Sequence, residues 1–100
     1  MATKSAEFKL SPAARKDMEA AWLYSLHEWG RAQADRYVDE LVEAFTFLAG
    51  SPGAGAQCEA IRAGYRKYPV IRHVVYYRQA GYGIEVVRVL HDRMLPSRHL

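Results

Sequence analysis

A single glycine separates two helical patterns in the first half of this chain, and that spacing limits the fold more than any other feature. Ser11-Pro12 opens the first pattern, a hydroxyl cap followed by proline at the first helical position. No capping box accompanies it, because Ala14 stands where Glu or Gln would be. Met18, Ala21, Trp22, Ser25, Leu26 and Trp29 then recur at helical spacing. Gly30 stops the run, as a residue that tolerates left-handed backbone. The second pattern runs from about Arg31 to Ala49, with Ala34, Tyr37, Val38, Leu41, Phe45 and Leu48 as its apolar stripe. Asp35, Arg36, Asp39, Glu40 and Glu43 cover its other side, and Gly50 and Pro52 end it. So short a connection forces the two helices into an antiparallel hairpin.

The second half changes period. Ser51–Gln57 is a small-residue loop that reads as a mobile connector; its Gly-Ala-Gly lacks the flanking strand and helix of a phosphate loop. Tyr65–Tyr68 is a candidate strand closed by Pro69, and His73–Arg78 is rich in β-branched and aromatic residues. Gln79–Gly83 is a glycine-bearing hairpin loop, and Ile84–Leu90 is the next strand. Alternation puts Ile84, Val86, Arg88 and Leu90 on one face, with Glu85, Val87, Val89 and His91 on the other. Glu7–Leu10 is a short extended segment, and the tail with Pro96 suits one short helical turn. The order predicts a single α+β domain over residues 1–100: a short N-terminal strand, then a helical hairpin packed on a three- to four-stranded, mainly antiparallel sheet. One hundred residues support one core, so two catalytic subdomains are excluded. The second sheet face has no helix left to cover it and is expected to meet water or a partner.

Charge divides unevenly. Residues 1–61 carry six Lys/Arg and nine acids, a net of −3, whereas residues 62–100 carry eight Arg/Lys against Glu85 and Asp92, a net of +6. A basic half of this kind suits an acidic partner, whether nucleic acid or an acidic protein segment, and equally a solvated sheet face. Tyr65-Arg66-Lys67-Tyr68 could stack bases, or could be an edge strand guarded by charge. No base-reading helix or RNA-binding motif accompanies it, so direct sequence-specific nucleic-acid binding is not expected. No apolar run approaches the roughly 20 residues that span a bilayer, and the first ten residues lack the apolar stretch of a secretory leader. A cytoplasmic setting without membrane partners is expected.

Single side chains weigh less. The lone Cys58 excludes an internal disulfide and a multi-cysteine zinc site, and nothing fixes a ligand spacing for His73, His91 and His99. Neither a metal nor a cofactor is expected. His73 reads as structural, hydrogen-bonded across the sheet; His91 sits where polar groups gather at the end of the last strand. Trp22 and Trp29, like Tyr37 and Phe45, read as core packing against the sheet, and Tyr24 as surface or interface.

Read together, FKLSPAARKDMEAAW, HEWGRAQADRYVDEL, IRAGYRKYPVIRHVVYYR and EVVRVLHDRMLPSRHL resemble the ParE toxins of the RelE/ParE superfamily over residues 7–100. The terminal VLHDRMLPSRHL and GYRKYP…HVVYYR are the most specific of these words. The resemblance implies a small bacterial toxin of a type II toxin–antitoxin pair. It implies inhibition of DNA gyrase, and neutralisation by a ParD-type antitoxin whose acidic, amphipathic segment wraps the toxin in a hetero-oligomer. The alternative is the RelE branch, which shares the fold and cuts messenger RNA on the ribosome. Placing Tyr77-Arg78 on the corresponding strand of that branch puts Val74 where an active-site Arg is expected, and no Tyr follows Tyr82. These departures favour a non-enzymatic inhibitor.

The site is therefore expected on the basic C-terminal surface. Arg88, His91 and Arg93 come first, then Arg62, Arg66 and Arg78, all as docking groups for antitoxin and target. Were the chain a nuclease, His91 with Arg88 and Arg93 would supply its base and cations.

Overall fold

The computed structural model describes residues 6–100. Strand β1 (Glu7–Leu10) leads into helices α1 (Pro12–Trp29) and α2 (Arg31–Gly50). A 3-10 turn (Pro52–Ala54) precedes strands β2 (Ala56–Gln57), β3 (Tyr65–Val70), β4 (His73–Ala80) and β5 (Gly83–His91), and a second such turn (Pro96–Arg98) ends the chain. The sheet has five strands in the order β1-β5-β4-β3-β2, antiparallel except for β1, which runs parallel to β5. It is thus one strand wider than the three to four expected. The extra strand is the Ala56–Gln57 pair, too short to carry an alternation of its own.

Local chemistry explains the hairpin. The Ser11 hydroxyl oxygen accepts from the Ala14 amide at 3.0 Å, and Pro12 occupies the first turn. Gly30 takes φ +86°, closes α1 by donating to the Leu26 carbonyl, and starts α2 one residue later. Tyr37, Leu41, Phe45 and Leu48 of α2 are buried against Val75, Tyr77, Ile84, Val86 and Val89 of the sheet. The inward residues of α1 are small, namely Ala14, Ala21 and Ser25, so this helix lies close on its neighbours. That closeness pushes the indoles out of the core expected for them. Trp22 is half-buried and donates to Asp35 Oδ1 at 2.9 Å, while Trp29 is 45% exposed and stands edge-on to Tyr24 and Tyr37.

Three further features depart from simple alternation. Tyr76 pairs with Arg88 but Tyr77 pairs with Val86, which leaves Val87 as the extra residue of a β-bulge. Past the bulge the faces exchange. Val89 and His91 turn toward the helices and Leu90 turns away, so the shared face expected for Ile84, Val86, Arg88 and Leu90 ends at Val87. The outer face is also partly covered. Cys58, Tyr76 and Leu90 form a second cluster under Ile61, Tyr65, Val74 and Leu100. Finally, β3 continues through Pro69 because β2 reaches only Arg66 and Lys67, and proline is tolerated on an open edge.

The expected mobile connector is tied down. The Tyr77 hydroxyl donates to the Pro52 carbonyl at 2.7 Å and accepts from the Gly55 amide at 2.8 Å. A Cβ on Gly55 would collide with that hydroxyl and with the Lys67 carbonyl. Among the described residues, no helix is long and apolar enough to cross a membrane.

Strand β1 stops at Leu10, but β5 runs on to His91. The cap residue Ser11 and helix α1 supply the partners that β1 does not. The Ser11 amide and hydroxyl donate to the carbonyls of Val86 and Val87 at 3.0 and 2.7 Å. Asp17 then accepts from the Val89 amide at 2.9 Å and from Arg88 Nε and Nη2 at 2.7 and 2.9 Å. The two side chains are 13% and 20% exposed. Asp17→Ala leaves a half-buried guanidinium and a strand amide without their acceptor, which should cost about 2–4 kcal/mol. Urea unfolding measures this as a lowered midpoint at unchanged slope; an unchanged midpoint would show that the anchor contributes nothing.

Candidate functional site

The structure does not gather the six expected site residues into one surface. It divides them between the two ends of β4. Arg62, Arg66 and Arg78 line a cavity of about 550 Å³ at one end, with Gln57, Glu59, Ala63, Gly64, Tyr65 and Gln79. His91 and Arg93 line a cavity of about 350 Å³ at the other, with Asp17, Ala20, Tyr24, His73, Val89 and Met94. Arg88 lines neither. Its guanidinium is held by Asp17 on one side, and its Nη1 donates to the His99 carbonyl at 2.8 Å.

The first cavity is lined mostly by polar side chains, with Ala63, Gly64 and the Tyr65 ring among them. Tyr65 and Arg78 lie opposite each other in the β3–β4 ladder, so their side chains share its mouth. Arg66 Nη1 donates to the Gly55 carbonyl at 2.7 Å, which both orients the guanidinium and secures the connector. Arg78 Nε donates to Glu85 Oε1 at 2.6 Å. The Arg62 guanidinium lies 5.8 Å from the Tyr65 ring centre.

The second cavity is walled by rings and apolar side chains. His73 and His91 pair across β4 and β5, with ring centres 5.3 Å apart, and Tyr24 of α1 closes over both at 5.8 and 4.7 Å. His73 is buried, and its Nδ1 shares a 2.6 Å hydrogen bond with the Tyr37 hydroxyl. The expected partner across the sheet is therefore replaced by one on α2. Burial pushes His73 down to about 4, with the adjacent His91 adding to the effect, and burial pushes Tyr37 up to about 12. Both stay neutral near pH 7. His91 Nδ1 accepts from the Arg93 amide at 3.1 Å, and its Nε2 is buried without a hydrogen-bond partner among the described residues.

Neither cavity joins a nucleophile to a base, and no three of His, Cys, Asp and Glu come together as a metal-ligand group among the described residues. Asp17 was not singled out in sequence. Its signal is a carboxylate four residues before Ala21 and seven before Tyr24, on the inward side of α1. Gln57, Gln79 and Met94 carry no such signal, because only the fold brings them to the cavities.

Comparison with known proteins decides the family. A family model described as the ParE toxin of the type II toxin–antitoxin system parDE matches residues 8–96. The chain belongs to the ParE toxin family. It is 43% identical over 97 residues to Toxin ParE1 of Mycobacterium tuberculosis, covering 96% of this chain and 99% of that protein. It is 41% identical over 93 residues to Toxin ParE1 of Caulobacter vibrioides, covering 93% and 96%. A chain of the chromosomal ParDE TA system from P. aeruginosa superposes with a TM-score of 0.74 at 20% identity, over 89% of this chain and 98% of that one. That likeness shows a shared fold. Two helices on one face of a sheet ordered β1-β5-β4-β3-β2 are thus this toxin's frame, and the two cavities sit at either end of its central strand.

The buried His73 makes this frame acid-sensitive. Its folded value of about 4 lies below the ordinary 6.5, so between these limits the unfolded chain takes up a proton that the folded chain refuses. The stabilisation is complete above pH 6.5 and is lost as pH falls toward 4. His73→Phe keeps the ring packing and leaves the Tyr37 hydroxyl its contacts with the Val70 carbonyl and the Arg72 amide. Urea midpoints across that window should fall less steeply for the variant than for the parent. Equal slopes would place the acid sensitivity elsewhere.

Proposed function

We propose that this ParE toxin acts by protein–protein inhibition of DNA gyrase, without catalysis, and that a ParD-type antitoxin neutralises it in a hetero-oligomer. The observation that carries the non-catalytic reading is the engagement of Arg88. A metal-free ribonuclease built on His91, Arg88 and Arg93 needs a base and cations converging on one phosphate. Here Arg88 is turned onto Asp17 and the His99 carbonyl, and the His91 ring is enclosed against Tyr24. Arg93 alone of the three remains exposed with no ion pair among the described residues. Gyrase as the target rests on family membership.

The second cavity suits the acidic, amphipathic antitoxin segment that the ParE resemblance implies. Ala20, Tyr24, Val89 and Met94 offer an apolar wall, and Arg93 stands beside them for a carboxylate. Met94 and Leu95 are 45% and 56% exposed, which extends the apolar surface along the tail.

Purified toxin should lower supercoiling by gyrase and leave defined messages intact in a translation extract. Intact supercoiling at saturating toxin would remove gyrase as the target. Message cleavage abolished by His91→Ala would replace inhibition with the RelE-type reading. Arg93→Glu should weaken the complex with the antitoxin by about 10- to 100-fold while leaving the thermal unfolding curve unchanged. Unaltered affinity would take Arg93 out of the interface.

A further inference from the structure

We propose that the free margin of β1 is a self-recognition strand: it pairs antiparallel with β1 of a second copy of the chain and joins two five-stranded sheets edge to edge. β1 is the outermost strand, with β5 on one side and no strand on the other among the described residues. The Glu7 amide donates to the Tyr82 carbonyl at 2.8 Å and the Ser11 amide to the Val86 carbonyl at 3.0 Å. Glu7, Lys9 and Ser11 therefore direct their backbone groups at β5. Alternation then directs the amides and carbonyls of Phe8 and Leu10 away from the sheet, where a further strand would lie. The opposite margin of the sheet is guarded. β2 is two residues long, and beyond it Pro69 of β3 has no N–H to offer. β1 carries neither proline nor bulge.

Charge selects a second copy as the occupant and fixes one register. Phe8 and Leu10 are half-buried on the helix side, Phe8 against the Phe45 ring at 5.3 Å, whereas Glu7 and Lys9 are exposed. Antiparallel pairing centred on Phe8 sets Glu7 of each chain opposite Lys9 of the other, so symmetry makes the charge pair twice. These are the non-hydrogen-bonded positions of the ladder, where facing side chains lie closest. Sliding the strands by two residues sets Glu7 against Glu7 in one direction and Lys9 against Lys9 in the other. Both neighbouring registers are thus repelled. In the centred register the Phe8 amides and carbonyls bond each other reciprocally, and the two Phe8 rings meet on the helix side. The Lys9 ammonium lies 4.5 Å from the Tyr82 ring centre and keeps its N–H donors for a carboxylate. The contact does not draw on the gyrase reading, because self-association is measured on the toxin alone.

The test is sedimentation equilibrium of the full chain from about 10 µM to about 1 mM at about 0.15 M salt, with amide hydrogen exchange followed by NMR. Monomer–dimer association should appear in that range. Exchange at the Phe8 and Leu10 amides should slow as the dimer forms, while the Lys9 amide is protected at every concentration. Glu7→Lys and Lys9→Glu should each weaken association about tenfold, since each sets like charges opposite at both ends of the seam. An equimolar mixture of the two variants should associate as the parent does, because every facing pair again joins a lysine to a glutamate. Both side chains are exposed, so the variants keep the fold, and an unchanged thermal unfolding curve checks this. A chain that stays monomeric at about 1 mM overturns the proposal. So does association that the single substitutions leave unaltered or that their mixture fails to restore, since the seam would then lie elsewhere. Protection of the Phe8 and Leu10 amides that arises only when a ParD-type antitoxin is added would give this margin to the antitoxin and likewise overturns it.

Discussion

The carboxylate of Asp17 holds the helical hairpin to the one stretch of β5 that strand pairing leaves open. β1 covers β5 only as far as Val86, and the cap residue Ser11 and Asp17 of α1 then continue the pairing. The register between helix and sheet is therefore set by hydrogen bonds as well as by packing. The small residues Ala14, Ala21 and Ser25 make this close approach possible, since larger side chains would lift α1 beyond reach of the strand. Three features depend on this anchor. Arg88 points at α1, Tyr24 lies over the two histidines, and Asp17, Ala20 and Val89 line the second cavity together.

The same interaction separates charge from chemistry. Counted along the chain, the second half is strongly basic and Arg88, His91 and Arg93 look like one cationic cluster. In the fold, one of those cations is neutralised by an acid 71 residues away, and the imidazole is enclosed. The arginines that remain together are Arg62, Arg66 and Arg78, at the far end of β4. Two unlike surfaces result. One is apolar with a single cation beside it, which favours a protein segment; the other is lined mostly by polar residues, with Arg78 paired to Glu85 and Arg66 tied to the connector.

Much of the frame was legible in the sequence because it rests on local rules. Ser11-Pro12, Gly30 and the period of Tyr37, Leu41, Phe45 and Leu48 each act within a few residues, and the hairpin follows from them. The strands around β-branched residues were legible for the same reason. What escaped depends on distant partners. β2 exists because Ala56 and Gln57 pair with Lys67 and Arg66, while Tyr77 and Arg66 bind the preceding turn. The tryptophans look like core residues at their spacing, but the space facing them is already taken by the close contact of α1. Of the candidate site, the basic residues could be named, but their division into two groups could not, since it needs the β3–β4 register.

The bulge at Val87 shows how little separates one functional surface from another. Alternation without it would carry the facing of Ile84 and Val86 on to Leu90, and His91 would lie on the outer face beside the Cys58 and Tyr76 cluster. An exposed imidazole there would stand on the same face of the sheet as a basic tail. One inserted residue instead turns His91 under α1, against Tyr24 and the buried His73. The bulge also reverses Val89, whose amide then finds Asp17 and completes the anchor. A general base and a helix clasp compete for the same turn of β5, and in this chain the extra residue settles the strand in favour of the clasp.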